Sequence, residues 1–347
     1  MSSRPAKRFF TCLTLTACLI CLAPSRCAAW GNAGHRIIAR IAAKRLNDNV
    51  KKAVAQMLGV KANANDLAVA DAMAQASTYA DEIRPLRPDT ANRHFVDMPR
   101  SASAYVPARD CVETKQGDCA VAAVERFEKV LADAGAKPEA KAEALKFLIH
   151  LIGDLSQPLH CYGDDEGGNL VRVSFYGKQT NLHWVWDTGL IEHAGVIPVL
   201  GLRQLTEAVY ADKLSNELKK LESGEPAAAS RWLTDLESKD PKATISLWAG
   251  GTPEAWAVDS HAVAVQDAYG SLPKQGASTR GGNQKGAPAA RTNAPGEVFA
   301  QSAARQSAAR PIYVLNDAYY KPCSKVMERQ LMKAGLRLAS GLNQIFK

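Results

Sequence analysis

The chain has 347 residues, 46% of them apolar and 22% charged, with 43 basic against 35 acidic side chains and a net charge of +8. Arg4, Lys7, Arg8 and Arg26 precede residue 30 with no acid among them, so the excess of 43 bases over 35 acids falls to +4 beyond that point, which suits a polyanionic ligand without demanding one. The apolar run Phe9 to Ala23 is short for a membrane span, which argues against an integral membrane protein, and none is expected in the mature chain.

Residues 1–29 read as a secretory signal. The basic start and apolar core are followed by Cys27-Ala28-Ala29, a small-residue cleavage site. Cleavage there makes Trp30 the mature N-terminus and sends the protein to the periplasm or the medium. An alternative is processing at Leu15-Thr16-Ala17-Cys18, which leaves a lipoprotein anchored at Cys18. Four cysteines remain, an even number in an oxidising compartment. Cys111 and Cys119 are the closely spaced pair in a polar loop, and Cys161 with Cys323 would be the other.

Beyond the signal the pattern is mainly helical. Ile37, Ile38, Ile41, Ala42 and Leu46 recur at helical spacing and predict a helix over Gly34 to Leu58. Ala68 to Ile83 predicts a second, closed by Arg84-Pro85. Cys119 to Ala134 is a third, and Lys137-Pro138 opens a fourth that runs to Leu155. Leu170 to Tyr176, after Gly167-Gly168 and before Gly177, predicts one short hairpin strand within Asn169 to Gln179. Val196 to Leu221 and Pro226 to Val258 read as further helices, the latter broken by Pro241 and Pro253. Residues 271–311 shift to Gly, Ala, Ser, Gln, Pro, Lys and Arg. Such a composition cannot bury enough surface to offset its ordering entropy, and a linker-like insertion is expected there. Val326 to Phe346 predicts a closing helix.

The candidate chemistry concentrates between Leu145 and Asp187. His150/Asp154 and His183/Asp187 are each spaced i,i+4, which stacks two side chains on one helical face. His160 follows Pro158, where the preceding helix must have ended. One such pair is usually a solvated face or a buried hydrogen bond. Two pairs with a histidine between form a nitrogen and oxygen set that zinc accepts.

Set in order with Trp30, His35, Asp81 and His94, these residues define the series Trp30, His35, Asp81, His94, His150, Asp154, His160, His183, Asp187. The series resembles the ligand positions of the tri-zinc, single-strand-specific nuclease family, the 3′-nucleotidase/nucleases. Gly167-Gly168-Asn169, Asn181-Leu182-His183 and Ala334 to Ala339 extend the resemblance over essentially the whole mature chain. The 271–311 insertion is the departure. Bacterial zinc phospholipases C resemble the same scaffold and supply the alternative function.

The resemblance implies a mainly α fold of the zinc phospholipase C and single-strand nuclease type, in one domain over residues 30–347, with one short β-hairpin. It implies three Zn²⁺. One would be held by Asp81, His94, His150 and one oxygen of Asp154; the second by the Trp30 amine and carbonyl, His35 and the other oxygen of Asp154; the third by His160, His183 and Asp187. A hydroxide bridging the first two would be the nucleophile, and products would carry 5′-phosphates. Asp81, Asp154 and Arg84 are the implied catalytic residues, with Arg84 at the phosphate. Phe95 would stack on a base, while Asp97 and Asn169 would meet its edge. The partners would be single-stranded DNA and RNA and 3′-nucleotides, taken by a monomer.

Overall fold

The computed structural model describes residues 30–61, 65–197, 199, 201–232, 240–274 and 311–347. Residues 1–29, where a signal and its processing sites are expected, and residues 275–310 of the expected insertion lie outside the described residues. Among the described residues the architecture is helical, with one small sheet.

Helix α1 (Asn32–Ala43) sits at the centre. Ten of its residues are buried, and its Ala, Gly and Ile side chains present no bulky polar surface to any neighbour. Around it pack α3 (Asp66–Ala76), α7 (Pro138–Asp154), α10 (Leu202–Glu222) and α14 (Asp317–Ile345). The helix expected over Gly34 to Leu58 is two: α1 and α2 (Asp48–Met57). The break is stabilised from far along the chain, since the Asn343 carboxamide accepts the Asn47 N–H (2.9 Å) and donates to the Arg45 carbonyl (2.9 Å). The helix expected over Ala68 to Ile83 also divides, into α3 and α4 (Tyr79–Ile83). At that break the Ser77 and Thr78 hydroxyls bond back to Ala74 and Gln75 carbonyls, competing locally with the helical ladder.

Two helices frame a disulfide. It joins Cys111, just after α5 (Pro107–Asp110), to Cys119, just before α6 (Ala120–Ala132). The second expected bridge does not form: Cys161 and Cys323 are both free and buried. Their sulfurs face different main-chain carbonyls, Leu155 for Cys161 and Asp267 for Cys323, so the burial itself, not a bond, accounts for them.

The expected hairpin is β1 (Arg172–Phe175) with β2 (Lys178–Asn181), antiparallel with Phe175 opposite Lys178. Tyr176 and Gly177 both take positive φ, 45° and 85°, as a two-residue hairpin turn requires. A third strand, β3 (Tyr313–Leu315), pairs parallel to β1, giving the order β2-β1-β3. Three residues are too few for a periodicity signal, which is why this strand escapes a reading of the sequence. After β2 come α8 (Leu182–Trp184), a wide π turn (Val185–Gly189) and α9 (Leu190–His193) in continuous succession. Prolines open α11 (Pro226–Trp232), α12 (Pro241–Ala249) and α13 (Pro253–Val263).

The closing helix α14 begins at Asp317, well before the expected Val326, with Asn316 capping the Ala318 N–H and Pro322 accommodated early in the helix. A Cβ on its Gly335 would lie 2.4 Å from Ile41 Cγ2, so α1 and α14 are held at a separation only glycine permits. Gly335→Val should therefore overpack this crossing and lower stability by about 1–3 kcal/mol. A fall in the denaturant midpoint at constant slope would show it; an unchanged midpoint would mean the helices separate without penalty.

Candidate metal centre and substrate cavity

Helix α7 carries His150 and Asp154 one turn apart, and both are fully buried. Asp154 faces two directions. Its Oδ2 lies 3.2 Å from His150 Nε2 and 3.0 Å from His94 Nδ1, while its Oδ1 lies 3.3 Å from His35 Nε2. His94 ends a 3₁₀ turn (Pro88–His94), and His35 comes from α1, its ring stacked on His150 with centroids 3.8 Å apart. Asp81 of α4 adds a carboxylate oxygen 3.6 Å from His94 Nδ1 and 3.8 Å from His150 Nε2. Trp30 is fully buried directly ahead of α1. Its main-chain nitrogen follows Ala29 in the full chain, so an amine at that position requires cleavage.

A third group stands alongside. His160 lies on the 3₁₀ turn Pro158–Cys161, and His183 and Asp187 on the α8-to-π segment. Asp187 Oδ2 is 3.1 Å from His183 Nε2, and its Oδ1 is 3.7 Å from His160 Nε2. The structure thus brings eight of the nine sequence-predicted positions into three groups: His35, His150 and Asp154; Asp81, His94 and His150; His160, His183 and Asp187. The ninth, Trp30, lies two residues ahead of α1, the helix that carries His35.

The main chain orients the rings. His150 Nδ1 donates to the Ser77 carbonyl, His160 Nδ1 to that of His94 and His183 Nδ1 to that of Gly167, each at 2.7 Å. Each bond turns the Nε2 atom toward the carboxylates, the arrangement metal-ligating imidazoles use. The carbonyl roles of Ser77 and Gly167 cannot be read from sequence, because a carbonyl leaves no mark in residue type. The one hint was the Gly167-Gly168 pair. Asp165, Glu166, Gly167 and Gly168 all take positive φ, and a Cβ on Gly167 would sit 2.6 Å from the Leu159 oxygen. The loop's strain is retained where it aims His183. Gly153 was missed too; a Cβ there would lie 2.8 Å from His35 Nδ1.

Electrostatics separate the groups. Burial pushes the Asp154 carboxyl up to about 7 despite the opposing pull of His150. Burial lowers the His150 imidazole, but the Asp154 and Asp81 carboxylates outweigh it and bring the ring to about 9. Burial holds His94 well below its usual value and His160 at about 3, so both rings are neutral with a lone pair available. Considering only the protein's own charges, Asp154 contributes most to stability below the ordinary carboxylate range and loses that contribution as pH rises through about 7. A divalent cation reverses this, since it favours the ionised carboxylate. The donor set fits such ions: Asp81 Oδ2, Asp154 Oδ1, His160 Nε2 and His183 Nε2 are buried without a hydrogen-bond partner, and neutral imidazoles with carboxylates are what zinc takes.

The second and third groups border, through His94, His160 and His183, a cavity of about 550 Å³ whose wall also includes Arg84, Phe95, Asp97, Tyr162, Asp164, Glu166 and Asn169. Every residue read from sequence as contacting substrate is on that wall. Arg84 is its one arginine or lysine among the described residues. The Asn169 carboxamide donates to the Glu166 carbonyl (2.9 Å) and accepts from Asn181, so its position is set by the same left-handed loop.

The chain matches the S1/P1 nuclease family over residues 30–347. It is 29% identical to Nuclease S1 of Aspergillus oryzae over 225 residues, 63% of this chain and 72% of that protein. With Nuclease P1 of Penicillium citrinum the identity is 29% over 226 residues, covering 63% and 77%. Endonuclease 4 of Arabidopsis thaliana is 27% identical over 327 residues, covering 91% and 89%.

Gly153→Ala tests the packing of the centre. The added methyl should displace the His35 ring and lower the bound-metal stoichiometry measured by mass spectrometry of the purified protein, with helicity unchanged. Full stoichiometry would show that His35 has room to move without loss.

Proposed function

Because this chain belongs to the S1/P1 nuclease family across residues 30–347, we propose that it is a zinc-dependent phosphodiesterase that cleaves single-stranded DNA and RNA to 5′-phosphate products and also acts as a 3′-nucleotidase. The observation that carries this reading is the Asp154 carboxylate, with one oxygen toward His35 and the other toward His94 and His150. A carboxylate so placed suits two adjacent ions. Asp81, His94, His150 and Asp154 would hold one zinc; His35, Asp154 and the amine and carbonyl of a processed Trp30 a second; His160, His183 and Asp187 a third. When bound, zinc supplies Lewis acidity toward the phosphoryl group and makes water acidic near neutral pH.

The chain's own side chains do the rest. Arg84 stands where a phosphate would enter and would stabilise the charge that builds on its oxygens. Phe95 offers a face for a base to stack on, while Asp97 and Asn169 offer acceptors and a donor to its edge. A stacked base must be splayed out of any duplex, which favours single strands and tolerates sequence. Nucleic acid is preferred over the lipid head group of the related phospholipases on the family match. Residues 30–347 would act as one catalytic domain and as a monomer. The Cys111–Cys119 disulfide supports export to an oxidising compartment after cleavage before Trp30. No helix among the described residues is long and apolar enough to cross a membrane.

Asp154→Asn should reduce cleavage of single-stranded DNA by more than about 100-fold, beyond the 10–100-fold typical of outer-shell changes, and should lower zinc content. Retained activity would remove Asp154 from the shared position. Phe95→Ala should raise KM on short oligonucleotides about 5- to 100-fold, in line with about 1–3 kcal/mol per stacked base, with kcat and zinc content near wild type. An unaltered KM would place the base elsewhere.

A further inference from the structure

We propose that Gln157 is a positioning residue for the third ion-binding group, a role that rests on the three-zinc reading above. Gln157 is fully buried between Asp154 and the turn that carries His160. Its Oε1 accepts the Leu159 N–H at 2.5 Å, which caps that turn. Its Nε2 donates to Asp187 Oδ1. The carboxamide has no choice of orientation: Leu159 N–H can only donate, so the amide oxygen must face it and the NH₂ must face the carboxylate. One side chain therefore ties together the two segments, 158–161 and 182–189, that supply His160, His183 and Asp187. It holds Asp187 Oδ1 from behind and leaves Oδ2 directed at His183.

The backbone of Gln157 is anchored independently. Its N–H bonds to the Asp154 carbonyl at 3.0 Å, and its carbonyl accepts from His160 N–H at 3.1 Å. Behind it, α13 and α14 hold the preceding residues. Ser260 Oγ donates to the Leu155 carbonyl (2.6 Å), Gln330 Nε2 to the Ser156 carbonyl (3.1 Å) and Arg337 Nη1 to Ser156 Oγ (3.3 Å). A side chain fixed at its base and at both ends of its amide transmits the placement of α13 and α14 to the Asp187 carboxylate. Outer-shell donors of this kind typically set metal affinity by 10–100-fold.

Two variants of the mature protein separate the two halves of the amide. Gln157→Glu keeps an acceptor for Leu159 but replaces the donor to Asp187 with a like charge, whereas Gln157→Met removes both. Zinc is titrated out with a graded chelator and counted per chain, alongside cleavage of single-stranded DNA. Both variants should release one zinc of three about 10- to 100-fold more readily than wild type, keep the other two and the near-ultraviolet dichroism of the fold, and regain activity in excess zinc. Wild-type affinity for all three ions in Gln157→Glu overturns the proposal. Weakening confined to Gln157→Met also overturns it, because the effect would then run through the turn cap alone. A wild-type protein that never holds a third zinc sinks the three-zinc reading itself, and is distinguished by being seen before any variant is compared.

Discussion

The constraint on which this structure turns is the complete burial of the Asp154 carboxylate. An ionised carboxylate removed from water costs several kcal/mol unless charge and hydrogen bonds surround it. Here the surroundings are imidazoles from α1, α7 and the 3₁₀ turn ending at His94, each brought from a different part of the chain. The fold has to deliver those rings together or not bury the carboxylate at all. That requirement explains why the most central helices carry the site, when ordinary cores carry only apolar side chains.

Delivering the rings requires close packing of main chains, and the sequence meets that with small residues and interrupted helices. Gly153 leaves room for His35, and Gly335 lets α14 approach α1. The break between α3 and α4 frees the Ser77 carbonyl for His150, while the left-handed run 165–168 turns the Gly167 carbonyl toward His183. Each irregularity looks like a loss of secondary structure and is a source of an acceptor. The π turn at Val185–Gly189 belongs to the same class, a local defect coinciding with Asp187, a candidate ligand.

Much of this was legible beforehand. The i,i+4 pairs predicted two side chains on one helical face because helical periodicity is local, and both pairs meet within 3.2 Å. The helix starts at Pro138 and Pro226 and the breaks at Pro241 and Pro253 were equally readable, since proline constrains its own φ. The hairpin turn at Tyr176-Gly177 was bounded by glycine. Less legible were helix breaks closed by a partner some three hundred residues away, such as Asn343 at Asn47. The three-residue β3 strand and the unpaired state of Cys161 and Cys323 belong with these, as each depends on what lies next to it in space.

The order and type of the candidate ligands and the helical class are properties of residue identity and spacing, and the sequence alone determined them. Which oxygen of Asp154 faces which histidine, which carbonyl orients each ring and how Asp187 is held by Gln157 were decided only by tertiary structure. The physical reason is that a side chain's chemistry is written in its residue type, whereas a main-chain carbonyl is identical at every position. Only folding determines which of those carbonyls meets a histidine.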